Sequence, residues 1–223
     1  MRHSIAFVPA IWVLVACSQS STPTPLATGT YTYEFHSGTL TEGTSTVTIS
    51  SDGTAFTITE DANWGGSIGK VSIVRRLDPA TFSIVDYRND KDNVSASFTK
   101  EGATYRGNSG ISKELAPPDA AAPSSFYALY DIVSSNAAIP AMLHATGKTS
   151  FNMFGYNVLS GVPSVASVTV VDVTAARPNG VPLRDESLAL ERGSTVSTIW
   201  YDPDTFIVHA VDVDNRVVVQ ARP

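Results

Sequence analysis

Thr30-Tyr31-Thr32-Tyr33-Glu34-Phe35 alternates strictly between polar and aromatic residues. Successive side chains of a strand point to opposite faces. Tyr31, Tyr33 and Phe35 therefore share one face, and Thr30, Thr32 and Glu34 the other, which predicts a strand with one buried side. The run 44–49 repeats the pattern with Val47 and Ile49 inward. Asp52-Gly53, a pair that readily takes the positive φ angles of a tight reversal, leads into Phe56 and Ile58. Strand-like runs follow at 71–74, 82–85, 94–98 and 103–105, with Glu101-Gly102 turning between the last two. This half reads as an antiparallel meander.

The middle of the chain changes character. Residues 116–125 (APPDAAAPSS) read as a proline-rich loop. Ser125 is then placed to cap a short helix near 126–133, with Phe126, Leu129, Tyr130 and Val133 on one side, and 137–143 extends it after a break at Pro140. Strands resume at 151–159 and 165–173. The run 168–173 (VTVVDV) is apolar on both faces, which predicts a strand covered on both sides. Pro178-Asn179-Gly180 reverses the chain, and runs at 188–190, 196–201, 206–213 and 217–221 complete the sheet. The expected fold is mainly β: a curved antiparallel sheet or half-barrel with one short helix packed on it, in a single domain over 29–223.

One motif occurs twice. Leu77-Asp78-Pro79-Ala80-Thr81-Phe82 and Tyr201-Asp202-Pro203-Asp204-Thr205-Phe206 share Asp-Pro-x-Thr-Phe between strand-like runs. An aspartate that bonds back to the turn backbone, followed by a proline that presets φ, makes each a hairpin turn. Convergent turn chemistry explains the echo, as does a pseudo-repeated half-barrel with the two hairpins in equivalent places.

The segment Ile199-Trp200-Tyr201-Asp202-Pro203-Asp204-Thr205-Phe206-Ile207-Val208 resembles the W-Y-D-P-x-T-G-L-x-V hairpin of bacterial envelope proteins with a curved antiparallel half-barrel. These include lipoprotein families of unknown role and, more distantly, the LolA/LolB-like lipoprotein carriers. The opening Gly29-Thr30-Tyr31-Thr32-Tyr33 and the turn Asp78-Pro79 fit the same layout. The chain departs from the pattern at Phe206, where glycine is usual. The resemblance implies a sheet whose concave face, partly closed by helix, holds acyl chains or other apolar ligands, and it implies no catalysis.

The N-terminal segment sets the expected location. Arg2 opens a short apolar stretch, Ile5 to Val15, that closes in Leu14-Val15-Ala16-Cys17. It is interrupted by Pro9 and falls short of the about 20 apolar residues needed to cross a bilayer. This is the pattern of a bacterial lipoprotein signal. Residues 1–16 are expected to be removed and Cys17, the single cysteine, to carry the lipid, palmitate included, that anchors the chain to the cell envelope. Two or three acyl chains, at about 0.8 kcal/mol per buried methylene, hold stably. Ser18 follows, which favours the outer membrane where two membranes are present. Residues 17–28, small and proline-punctuated, read as a lipidated flexible tether.

Of 223 residues, about 200 remain without the signal, enough for one domain with a real core. A net charge of −6 argues against a nucleic-acid partner. With its one cysteine lipidated, the chain is left without a disulfide or a cysteine-based metal site. His36, His144 and His209 lack metal-ligand spacing. No G-x-S-x-G elbow singles out a serine, so no enzyme is expected. Asp212-Val213-Asp214-Asn215-Arg216 begins like a calcium loop but lacks its glycine and closing glutamate, and reads as a polar hairpin turn, with no cofactor implied. Trp64, beside Gly65-Gly66, marks a loop that either meets a ligand or folds back on the core. Tyr31, Tyr33, Phe35, Phe56 and Trp200, with Phe98 and Phe126, either line an apolar cavity or fill a solid core. Two functions stand: a binding or carrier module for an apolar, lipid-like envelope ligand, and a structural or assembly lipoprotein that presents a surface to another envelope protein.

Overall fold

The computed structural model describes residues 26–63, 69–91, 94–102, 104–107, 112–113, 120–125, 132–157, 162–213 and 216–220. The N-terminal half contributes β1 (Gly29–Ser37), β2 (Leu40–Ser51), β3 (Phe56–Asn63), β4 (Lys70–Leu77), β5 (Ile84–Lys91), β6 (Val94–Glu101), β7 (Thr104–Gly107) and β8 (Ser112–Lys113). Then come β9 (Ala120–Ser125), the helices α1 (Ile132–Asn136) and α2 (Ile139–Thr146), and β10 (Ser150–Asn157). The rest is β11 (Val162–Val171), β12 (Glu186–Arg192), β13 (Thr195–Tyr201), β14 (Val208–Val213) and β15 (Arg216–Gln220).

These strands join in one sheet in the order β8-β7-β6-β5-β4-β3-β2-β1-β15-β14-β13-β12-β11-β10-β9. Each of these neighbours pairs antiparallel except β9 with β10, which are parallel. Both halves are local meanders, and they pair with each other through β1 and β15, where Tyr33 faces Gln220 and Phe35 faces Val218. The sheet is strongly curved. On a flat sheet with strands about 4.8 Å apart, β5 and β9 would lie roughly 50 Å from each other, yet they touch. The helix α1 likewise reaches both β3 and β14.

Strands β10–β15 retrace β1–β6: in each series the fourth and fifth strands are joined by the Asp-Pro-x-Thr-Phe turn. The two turns are built alike. Asp78 Oδ1 accepts the N–H groups of Ala80 (3.0 Å) and Thr81 (2.8 Å). Asp202 Oδ1 accepts those of Asp204 (2.9 Å) and Thr205 (3.3 Å). Phe82 and Phe206 each donate N–H to the carbonyl of their turn's aspartate at 2.8 Å. Both adopt positive φ, 56° and 58°. Each turn thus holds a phenylalanine in the left-handed region that favours glycine.

Several expectations are corrected. The loop expected over 116–125 contains a strand from Ala120 onward, and its Pro123 is tolerated because β9 is the outermost strand. Of the helix expected near 126–133, residues 126–131 lie outside the described residues; α1 covers Ile132–Asn136, and the interruption falls at Ala137-Ala138. Pro140 does not break the helix but sits in the first turn of α2, where its missing N–H costs nothing. Asp52-Gly53 opens a four-residue loop rather than a tight two-residue turn, because the Asp52 carboxylate gathers Thr54 N–H (2.8 Å), Thr54 Oγ1 (2.7 Å) and Ala55 N–H (2.8 Å). The run 168–173 is not covered on both faces: Val168 is buried, but Thr169 and Val173 are exposed. Phe82 and Phe206 belong to turns, and their strands start at Ile84 and Val208. At the end of the expected tether, Leu26 is buried in the main core and Ala27 donates N–H to Thr205 O at 3.2 Å. Residues 1–25, with Cys17, and Trp64 lie outside the described residues.

Candidate functional site

The concave face is composed differently in the two halves. In the second half and at the seam it is apolar: Phe35, Val218, Val211 and Ile199 stand directly opposite one another across β1, β15, β14 and β13. Ile139, Ala141 and Met142 of α2 belong to the same core. In the first half the matching rows carry polar groups. One runs Ile49, Ile58, Arg75, Tyr87, Phe98, and the next Val47, Glu60, Ile73, Asn89.

Glu60 and Arg75 are both fully buried, at 0 % exposure. A buried charge costs several kcal/mol unless it is paired and hydrogen-bonded, and α1 supplies partners. Arg75 Nη1 donates to Ser134 Oγ at 2.5 Å, and Nη2 approaches Ser135 Oγ at 3.4 Å. Glu60 Oε2 accepts the Ser134 N–H at 3.1 Å and the Ser134 hydroxyl, while Glu60 Oε1 accepts the Ser45 hydroxyl at 2.5 Å. The Arg75 guanidinium lies 5.7 Å from the centre of the Tyr87 ring. Beyond it, Asn89 Nδ2 donates to Tyr87 Oη at 2.9 Å. Ser134 thus joins carboxylate and guanidinium, and the helix is held to the sheet through a polar cluster.

The expected ligand-lining residues separate. Tyr33, Phe35 and Phe56 lie in the main core at 2 %, 1 % and 8 % exposure, and Tyr31 is half-buried against it. Tyr33 donates its hydroxyl to Val208 O at 2.8 Å, and burial, then the Glu60 carboxylate, push its phenol well above the ordinary range. Trp200 is not with them. It stands opposite Ala210 on the other side of the sheet, packed with Val181 under the segment after β11. Phe56 stacks on Phe82, with centroids 5.7 Å apart. These side chains fill a core; they do not line an open groove.

The histidines have structural partners. His36 Nε2 is 3.3 Å from Glu34, His144 lies against Phe206 at 5.0 Å, and His209 Nδ1 is 2.6 Å from the buried Asp185 carboxylate. Among the described residues no group of three or more His, Cys, Asp or Glu could hold a metal. Of the run from Asp212, Asp212 and Val213 end β14 and Arg216 opens β15, with Val213 opposite Arg216, and 214–215 lie outside the described residues. No described helix is long and apolar enough to cross a membrane.

Sequence reading missed Glu60 and Arg75. The signal was present: in β3 the inward phase is Phe56, Ile58, Glu60, Ala62, and in β4 it is Val71, Ile73, Arg75, Leu77, each an apolar series broken by one charge.

No family model matches the chain, and no curated protein matches it. Among solved structures it is similar to a DUF1089 family protein from Pseudomonas aeruginosa, at 11 % identity over 74 % of this chain and 87 % of that one, with a TM-score of 0.47.

Proposed function

We propose that the chain is a lipid-anchored bacterial envelope protein, tethered through Cys17, that binds an apolar envelope ligand between its concave sheet and its helical segment and carries it without chemical change. The observation that supports this reading best is the nature of the cover. One end of the helical segment lies in an apolar core, but the other rests on Glu60 and Arg75 through Ser134. A buried ionic cluster of this kind stabilises less than well-packed apolar side chains of the same volume, and it gives the cover a polar end beside its apolar one. The apolar surface beneath gains about 25 cal/mol per Å2 from a lipid tail. The resemblance of 199–208 to the hairpin of LolA/LolB-like carriers points the same way.

Two measurements test it. Wild-type protein should fractionate with membranes, the outer one where there are two, and Cys17→Ser should release it or block its processing. Gentle native mass spectrometry of the protein from its own envelope should show a lipid-sized adduct. Wild-type protein free in the periplasm with an unmodified N-terminus overturns the anchor. A ligand-free mass with no uptake of a fluorescent fatty acid supports the second reading, an assembly lipoprotein that presents a surface to another envelope protein. That alternative is favoured by the filled core and by Leu183, which is 91 % exposed.

A further inference from the structure

We infer that the first half of the concave face is a head-group subsite, which selects an amphiphile whose polar head donates a hydrogen bond. The inference rests on the carrier reading above and specifies its ligand. It starts from Asn89, which is 1 % exposed at the polar end of the row Val47, Glu60, Ile73, Asn89. Its Nδ2 is used on Tyr87 Oη, while its Oδ1 has no hydrogen-bond partner among the described residues. An orphaned buried acceptor costs free energy, so its retention calls for a cause. The sheet provides its own comparison: Asn89 stands eleven residues after the aspartate of its turn, and Val213 stands in the same place after Asp202. Arg75, the neighbour of Tyr87 across β4–β5, stands three residues before the aspartate of its turn, and Ile199 stands in the same place before Asp202. There Ile199 is flanked by Leu188 and Val211, so that position of the curve is filled by apolar side chains alone.

The two halves thus form a face with a polar end and an apolar end, which is the shape of an amphiphile. An acceptor left without a partner is met by a hydroxyl or an amide N–H and not by an ester or ether.

The test is displacement of a bound fluorescent fatty acid from the full-length protein by three ligands with one tail: hexadecanol, hexadecanamide and methyl hexadecanoate. The first two should bind roughly 10-fold more tightly than the ester, and Asn89→Leu should abolish the difference. The wild-type ratio stands even if the variant folds poorly. Equal affinity of all three overturns the head-group subsite and leaves the carrier reading intact. Failure of the protein to take up the fluorescent fatty acid or any of the three overturns both.

Discussion

Phe82 and Phe206 hold the same left-handed backbone conformation, φ 56° and 58°, at the same place in two turns of one design. A β-carbon in that region costs about 1–3 kcal/mol. Each ring is buried, Phe82 against Phe56 and Phe206 between Tyr201 and His144, and that burial contributes a similar amount.

Glycine should therefore be a better replacement than alanine at Phe206, the reverse of the order in a strand. Phe206→Ala is expected to lose about 3–5 kcal/mol and Phe206→Gly about 1 kcal/mol less, because only glycine relieves the backbone. Denaturant unfolding of both variants decides it; alanine equal to or better than glycine would show that the turn carries no strain.

Removing one partner from the Glu60–Ser134–Arg75 cluster leaves a buried charge uncompensated. Arg75→Met is expected to cost about 3–5 kcal/mol, and the double change Glu60→Leu with Arg75→Met much less than the sum of the singles. A double-mutant cycle in urea checks the coupling. Ser134→Ala should in addition raise amide exchange over 132–146 more than elsewhere.

Tyr33→Phe isolates one buried hydrogen bond. It leaves Val208 O without its 2.8 Å donor while keeping the ring, so a loss of about 1–3 kcal/mol is expected, with no change in membrane attachment.

Asp52 reports on acid stability. The Thr54 hydroxyl first, then the N–H groups of Thr54 and Ala55, hold its carboxyl at about 2 against an ordinary 3.8. Its folded pKa lies below its unfolded one, so its contribution is present above about 3.8 and fades as pH falls toward about 2. Asp78 shifts the same way: burial raises it, but hydrogen bonds from Thr81 and Ala80 outweigh burial. Asp52→Asn should flatten the acid limb of the stability curve, with the carboxyl titration read by carbon NMR; an unchanged limb with a normal Asp52 titration counts against this account.

The strands and the paired turns were legible because both are local: alternation reports one strand at a time, and Asp-Pro sets its own turn. Trp200 was misplaced for a local reason as well. Ile199-Trp200-Tyr201 is apolar without a gap, so its phase is ambiguous, and a bulge at Trp200/Tyr201 shifts it again. Glu60 and Arg75 appear in sequence as charges in the inward phase, but what answers them is Ser134, remote in sequence and on a helix of five residues that no periodicity announces. The same holds for Ala27, whose N–H partner, Thr205 O, belongs to the second Asp-Pro turn.

The pairing of β1 with β15 also dictates an order of assembly. A chain emerging from its N-terminus can zip β1 through β8 at once, each strand onto its predecessor, but the outer edge of β1 stays open until β15, at the far end of the sequence, has arrived. The centre of the finished sheet is therefore its last seam to close. Until then Tyr33 and Phe35 lie beside an unsatisfied edge, the kind of surface on which neighbouring chains pair. A nascent chain stalled before β15 keeps that edge open and is the species most prone to aggregate.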